Sequence, residues 1–201
     1  MAADSPEHMG ADPLEESRPP LNVRAFFGLP VPEAHRAALA SYLAECGAAA
    51  PEFRWTPASN LHLTVRFIGS AELSVVEGIA GRLSVRHPTG FELALGNVGT
   101  FKRGRLVRVV WLQLRSGADA ARELAAEVEE ECVRAGFAPE NRPFQPHLTL
   151  ARARPREGTP LPALLAEPDL SPWRAEELVV YRSHLGRAGS VYEPLRTIRL
   201  S

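Results

Sequence analysis

The sequence predicts an α+β protein with mainly antiparallel sheets, and three observations support this class. First, 201 residues with a 45% hydrophobic content are enough for a sizeable core without disulfide or metal support. Second, several candidate strands follow one another directly, a pattern that favours α+β over a doubly wound parallel sheet. Third, the tetrapeptide His-Leu-Thr-aliphatic begins at both His62 and His147. This repeat indicates an internal duplication that delivers one equivalent strand from each half.

In the first half of the chain, the pattern predicts two strand–helix pairs after a disordered tail. Residues 1–20 are rich in Pro, Asp and Glu and show no apolar periodicity, so we expect them to be disordered. Strands are predicted at 22–28 and 61–69, where the residues are apolar or alternate. Helices are predicted at 32–46, with Pro32 tolerated in the first turn, and at 71–85, where apolar residues recur at helical spacing.

The second half predicts more strands than helices. Segments 91–98, 106–114 and 147–153 have the composition of strands, and 118–135 predicts a long amphipathic helix. Segments 177–185 and 192–200 predict two closing strands. The proline-rich segment 160–172 predicts a loop with a short helix. No glycine-rich phosphate loop is present, which disfavours a nucleoside-triphosphate or dinucleotide site.

Charge and composition exclude several classes of protein. The formal net charge is −1, so generic affinity for long nucleic acids is not indicated. Lys102 is the only lysine, and although a GC-rich genome explains most of this bias, guanidinium groups also suit phosphate recognition. Basic residues cluster at 102–108 and 142–156. No apolar run can span a membrane, no secretory signal is visible, and two cysteines form no framework, so a cytoplasmic monomer without membrane association is expected.

Strand geometry places the repeated motif residues together. Side chains at i and i+2 of a strand point to the same side. His62 therefore shares a face with Thr64, and His147 shares a face with Thr149, while the leucines between them face the core. If the two halves face each other, two imidazoles and two hydroxyls converge on one cleft.

These groups suit phosphoester chemistry. Imidazole titrates near neutral pH, so one histidine can act as a base and the other as an acid. Threonine hydroxyls can donate hydrogen bonds to phosphate oxygens, and a nearby arginine can neutralise the charge. A zinc site would require further ligands at close spacing, and neither His-x-His, HExxH nor a cysteine pair is present.

The paired motifs resemble those of the two-histidine phosphoesterase superfamily, whose signature is two His-x-Thr-x motifs. Within it, the chain resembles the RNA 2',3'-cyclic phosphodiesterases, also named 2'-5' RNA ligases. The resemblance covers about residues 21–200. It includes the segments RAFFGL at 24–29, RWTP at 54–57, NLHLT at 60–64, FIG at 67–69, PHLTLAR at 146–152, YRS at 181–183 and the later Tyr192.

The resemblance implies a bilobal domain over residues 21–201, with two pseudo-symmetric lobes flanking a central cleft and helices on the outer faces. It implies hydrolysis of a terminal RNA 2',3'-cyclic phosphate to a 2'-phosphate, without a metal or another cofactor. His62 would then be the proton donor and His147 the proton acceptor. Thr64, Thr149 and Arg152 would bind the phosphate.

Some assignments stay open at this stage. Arg152 has the wrong parity to share an ideal strand face with His147, and needs a bulge or a position past the strand end. Arg66 has the right parity relative to His62 and is its rival. Phe26, Phe67, Trp55 and Phe144 could stack on a base, although core positions are the better interpretation for each. The alternative functions are 2'-5' RNA ligation at the same site and a non-catalytic module that binds nucleotides or RNA ends.

Overall fold

The computed structural model describes residues 21–160, 168, 170–186 and 189–201. The predicted disordered tail, and most of the predicted loop at 160–172, lie outside these residues. The described residues form nine strands and three α-helices, with one turn of 3-10 helix at Ala58–Asn60. In chain order these are β1 (Asn22–Pro30), α1 (Glu33–Ala49), β2 (Phe53–Trp55), β3 (His62–Glu72), α2 (Leu73–Arg86), β4 (Phe91–Arg103), β5 (Leu106–Ser116), α3 (Ala118–Arg134), β6 (His147–Ala153), β7 (Trp173–Ala175), β8 (Glu177–Gly186) and β9 (Gly189–Arg199).

The strands form a sheet in the order β7–β4–β5–β6–β3–β1–β8–β9, and β2 pairs with the far end of β6. Every strand pair in this order is antiparallel. The two motif strands, β3 and β6, are central neighbours, and each begins a run of four strands. The α+β class and the two pseudo-symmetric lobes expected from the sequence are confirmed.

The core lies between the sheet and the helices. The buried apolar residues of all three helices belong to one cluster with one face of the strands, and Leu63 and Leu148 of the motifs are part of it. The other face of the central strands carries the motif histidines and threonines. The helices therefore cover the side of the sheet opposite the cleft, as the sequence predicts.

Bulges interrupt the regular alternation at the centre of the sheet. Val65 of β3 has no partner on β1, and Leu150 of β6 has no partner on β5. Both are the residue that follows the motif threonine. A bulge inserts one unpaired residue and re-aims the side chains beyond it, so side-chain parity changes at the same place in both lobes.

The predicted elements match the observed ones closely, with two omissions. The three-residue strands β2 and β7 were not predicted, since three residues are too few to show an alternating pattern. Within the described residues, no helix has the length and apolarity needed to cross a membrane.

Candidate active site

The two motifs meet because β3 and β6 pair at a single position. Leu63 lies opposite Leu148 in an antiparallel bridge. In this register His62 neighbours Thr149, and Thr64 neighbours His147. Directly opposed side chains of antiparallel strands share a face. The four motif side chains therefore lie together above the junction of the two lobes.

His62 is held by hydrogen bonds on both ring nitrogens. Its Nδ1 lies 2.7 Å from the carbonyl oxygen of Asn60, which can only accept, so Nδ1 carries the proton. Its Nε2 lies 3.0 Å from the hydroxyl oxygen of Thr64. The ring also packs against Phe26, with centroids 4.6 Å apart, and against the edge of Tyr192 at 5.1 Å. These contacts fix the plane of the imidazole.

His147 is held in an equivalent way. Its Nδ1 donates to the carbonyl oxygen of Gln145 at 2.7 Å, again the residue two positions earlier. Its ring contacts Phe101 edge-on at 5.1 Å and Trp111 at 5.6 Å. In both lobes, therefore, Nδ1 is occupied by the backbone and Nε2 is the nitrogen left to act on a substrate.

The site lowers the basicity of both histidines. Burial lowers the pKa of His62 to about 4, and the charges of Arg152 and His147 act in the same direction, against the hydrogen bond to Asn60. Burial and then Arg152 also lower the pKa of His147, while its bond to Gln145 opposes the shift. Both imidazoles are accordingly neutral at pH 7.

Arg152 reaches the site through the bulge at Leu150. Beyond that residue, Ala151 pairs with Val110 and Arg152 pairs with Val109. Leu150 and Ala151 are both buried, whereas Arg152 is exposed. The bulge thus reverses the parity that an ideal strand would impose, and the guanidinium lies within electrostatic reach of both histidines.

Arg66, the rival of Arg152, is engaged elsewhere. Its guanidinium forms ion pairs of 2.5 Å with both Glu129 and Glu140, and it also donates to the carbonyls of Phe67 and Ala138. Only 10% of its side chain is exposed. Arg66 therefore connects β3 to α3 and the segment after it, and is not free to bind a phosphate.

The four aromatic residues that could stack on a base differ in their burial and position. Phe67, expected on the core face, is 54% exposed and pairs with Phe26 on the face of His62, because the bulge at Val65 reverses parity. Phe26 is buried beneath His62 but on the cleft side. Trp55 is half-buried and donates its indole N–H to the carbonyl of Ala50 at 3.0 Å. Phe144 is half-buried in a pocket beside His147.

This pocket has a volume of about 760 Å³ and opens beside the motif residues. Its wall includes Thr64, Phe67, Phe101, Phe144 and His147. A concave, partly aromatic wall next to polar groups is typical of a small-molecule site. In the described part of the chain, no group of three or more His, Cys, Asp or Glu side chains is arranged to hold a metal ion.

Four aromatic residues around the histidines were not singled out as site residues from the sequence. They are Phe101, Trp111, Tyr181 and Tyr192, which pack around the two imidazoles. Each lies in or beside a predicted strand, but only the pairing of strands from both lobes shows that these rings surround the motifs.

Two antiparallel lobes, each presenting a histidine and a threonine from one strand to a shared cleft, define a phosphoesterase of the two-histidine class. Residues 31–187 match the model of the 2'-5' RNA ligase superfamily. The chain therefore belongs to the 2'-5' RNA ligase superfamily, which confirms the resemblance seen in the motifs.

Relatives and solved structures agree with this membership. An RNA 2',3'-cyclic phosphodiesterase of Escherichia coli is 35% identical over 144 residues, which cover 69% of this chain and 75% of the relative. One of Aeropyrum pernix is 33% identical over 146 residues, covering 70% and 82%. The crystal structure of E. coli LigT complexed with 3'-AMP is 27% identical, with a TM-score of 0.76 over 90% of this chain and 99% of that one.

Proposed function

We propose that residues 21–201 form one catalytic domain that hydrolyses the 2',3'-cyclic phosphate end of RNA to a 2'-phosphate without a metal ion. The observation that carries the proposal is the convergence of His62, Thr64, His147 and Thr149 on one face, with Arg152 beside both imidazoles. The activity named for the relatives points to the same reaction. All these groups belong to one chain, so we expect a monomer to be active.

In the proposed reaction, Nε2 of His147 takes a proton from a water molecule, whose oxygen attacks the phosphorus. The bond from phosphorus to the 3'-oxygen breaks, and Nε2–H of His62 donates a proton to that oxygen. The product carries a 3'-hydroxyl and a 2'-phosphate. One proton is taken up and one is given, so the two histidines exchange ionisation states over the reaction.

Thr64, Thr149 and Arg152 bind the non-bridging oxygens in this mechanism. Hydroxyl donors and a guanidinium stabilise the charge that develops on these oxygens in the transition state. The hydroxyl of Thr64, which lies 3.0 Å from Nε2 of His62, would turn to the phosphate when the substrate enters.

The acid role of His62 requires a proton that its surroundings disfavour. Because burial, and to a lesser extent Arg152, lower its pKa, His62 must gain its proton as the substrate binds. An anionic phosphate offsets the charge of Arg152 and favours the imidazolium, so it raises the pKa of His62. Proton uptake is therefore coupled to binding of the substrate. The adjoining pocket would hold the terminal nucleoside between its aromatic side chains.

The first test uses an oligonucleotide that ends in a 2',3'-cyclic phosphate, incubated with the protein with and without EDTA. We expect EDTA-insensitive formation of a 2'-phosphate. His62→Ala and His147→Ala should each lower turnover by about 10²–10⁴-fold, the range for loss of a general acid or base. His87→Asn is the matched control, since His87 is exposed at the end of α2 in a left-handed conformation that asparagine tolerates.

Near-wild-type turnover in either motif variant would contradict the acid–base pair. Tight binding of the RNA end with no turnover would favour the alternative of a binding module. In the alternative of 2'-5' ligation at the same site, the 5'-hydroxyl of a second RNA end replaces water as the attacking group. Its oxygen bonds to the phosphorus, the bond to the 3'-oxygen breaks, and a 2'-5' phosphodiester with a free 3'-hydroxyl results. The same assay detects this product when both RNA ends are supplied.

A further inference from the structure

Three exposed arginines lie side by side across neighbouring strands at the edge of the cleft. Arg152 of β6 pairs directly with Arg54 of β2 on one side and with Val109 of β5 on the other. Directly opposed residues of antiparallel strands share a face, so Arg54 points to the same side as Arg152. Arg108 precedes Val109. We call Arg54, Arg152 and Arg108 the arginine row.

A bulge brings Arg108 into this row. In the β4–β5 pair, Phe101 lies opposite Val109 and Lys102 lies opposite Val107, so Arg108 has no partner on β4. Val107 is buried in the core cluster, and Arg108 is exposed. A bulge re-aims a side chain in this way. Arg108 is the residue before Val109, the partner of Arg152 on β5, and its charge contributes to the lowered pKa of Arg152 after burial and Arg54.

Among the residues that the structure describes, the arginine row has no ion-pair partner. Six of the described arginines form ion pairs with carboxylates, namely Arg36, Arg66, Arg82, Arg86, Arg122 and Arg134. Other described arginines, among them Arg174, do not, so the arginine row is distinguished by its place beside the motif histidines. No carboxylate among residues 21–160, 168, 170–186 and 189–201 forms an ion pair with Arg54, Arg108 or Arg152. Although the Arg152 side chain is exposed, partial desolvation of its guanidinium lowers its pKa, and the charges of Arg54 and Arg108 add to this, with Tyr192 acting in the opposite sense. Three cations on adjacent strands repel one another, and an anion bound between them would relieve this repulsion.

We infer that Arg54 and Arg108 bind the phosphodiester on the 5' side of the terminal nucleotide, so that the enzyme is selective for RNA chains over free nucleoside cyclic phosphates. This inference rests on the proposed function, in which Arg152 contacts the reacting phosphate. Neighbouring strands are about 4.8 Å apart, so the flanking arginines begin one strand away from Arg152 on either side. A free nucleoside cyclic phosphate has one phosphate and leaves them unused, whereas an RNA chain supplies a second phosphate one nucleotide away.

The local positive charge of the arginine row matters because the net charge of the whole protein does not attract RNA. With a formal net charge of −1, long-range steering of RNA by the whole protein is weak. Guanidinium groups bind phosphates in a bidentate manner, so two of them can position a backbone without reading its bases. The selectivity should therefore depend on the number of phosphates and not on the sequence of the RNA.

The test compares adenosine 2',3'-cyclic phosphate with an adenylyl-adenosine dinucleotide that ends in the same cyclic phosphate. In the wild type we expect kcat/KM to be at least tenfold higher for the dinucleotide. The double variant Arg54→Gln/Arg108→Gln should reduce this ratio at least fivefold, mainly through KM for the dinucleotide. Arg174→Gln removes one exposed charge from β7, at the far end of the sheet order, and should keep the wild-type ratio.

Salt dependence gives a second readout. A phosphate contact releases counterions, so the slope of log kcat/KM against log salt for the dinucleotide should become shallower in the double variant, by about one per lost contact. A general loss of protein stability would lower kcat/KM for both substrates by the same factor and leave the ratio of the two kcat/KM values unchanged.

The outcomes separate this inference from the proposed function. Hydrolysis of neither substrate by the wild type would overturn the proposed function itself. Hydrolysis of both, with a ratio and a salt slope that the double variant does not change, would overturn only the role of Arg54 and Arg108.

Discussion

At the scale of single residues, the charge of Arg152 affects the two histidines in two ways. Together with burial, this charge lowers the pKa of both imidazoles and keeps them neutral, which preserves the base but disfavours the protonated acid. When an anionic phosphate binds, this charge is offset, and His62 can take up a proton. One residue therefore binds the phosphate and also couples its arrival to protonation of the site.

This coupling predicts a measurable effect of Arg152→Gln on the free protein. Removal of the positive charge should raise the pKa of both His62 and His147, since the same guanidinium lowers both. NMR titration of the imidazole C–H signals measures each value, and the wild-type value for His62 should lie near 4. Arg174→Gln should leave both titrations at their wild-type positions. Unchanged pKa values of His62 and His147 in Arg152→Gln would show that the guanidinium lies too far from the imidazoles to affect their protonation.

At the scale of elements, the regular parts of the fold were predictable and the irregular parts were not. Alternation and helical spacing were enough to predict all three helices and the seven longer strands. The predicted sheet faces of Arg66 and Phe67 were wrong, because the bulge at Val65 depends on how β3 pairs with β1. The sequence of one strand does not contain that register. The position of Arg152 depends in the same way on the bulge at Leu150.

The motif pair itself was predictable because its information is local. His62 and Thr64 share a face over two residues that precede the bulge at Val65, and the repeat at His147 and Thr149, which precedes the bulge at Leu150, doubles the signal. The aromatic rings around the imidazoles come from β1, β4, β5, β8 and β9, so their selection required the order of the strands.

Gly99 provides a test of packing within one strand pair. It lies opposite Trp111, and a Cβ at this position would come within 2.4 Å of the indole ring. Gly99→Ala should therefore displace the indole from beside His147 and cost roughly 1–3 kcal/mol of unfolding free energy, the range for overpacking. Turnover of the cyclic phosphate should fall as well, because Trp111 supports the ring of His147.

Gly81→Ala is the matched control for Gly99→Ala. It lies within α2, where a Cβ would meet no atom within 4 Å. Alanine in the interior of a helix should increase the unfolding free energy by roughly 0.5–1 kcal/mol. Urea titrations of both variants measure the two effects. Equal stability of Gly99→Ala and the wild type would show that the indole has room to move.

At the scale of the whole molecule, the two lobes are joined by more than the bridge between β3 and β6. Glu131 of α3 is 1% exposed and forms ion pairs with Arg82 and Arg86 of α2 and with Arg134 of its own helix. Burial opposes the charge on Glu131, but the hydrogen bonds from Arg82 and Arg86 prevail and its pKa is lowered. The helix after one motif strand and the helix before the other are thus held together.

Histidines and this carboxylate make stability depend on pH in two separate ranges. The pKa of His62 is lower in the folded state, about 4, than its ordinary 6.5, so between these values the unfolded chain binds more protons. The contribution of His62 to the unfolding free energy is fully present above pH 6.5, where the imidazole is neutral in both states. It is lost as the pH falls towards 4. The lowered pKa of Glu131 gives stability above its ordinary value of 4.5, which is lost only at lower pH.

Between about pH 7 and pH 5, therefore, the histidines should dominate the change in stability. His62 alone should reduce the unfolding free energy by about 2 kcal/mol over this interval, if each pKa unit corresponds to about 1.4 kcal/mol. His62→Gln removes a group that titrates only in the unfolded state over this interval, so the variant should lose less stability than the wild type. Urea unfolding at both pH values measures this difference, and His87→Asn should retain the wild-type loss. The same loss in His62→Gln as in the wild type would mean that His62 is not held neutral by the fold, and the coupling between phosphate binding and protonation would lose its basis.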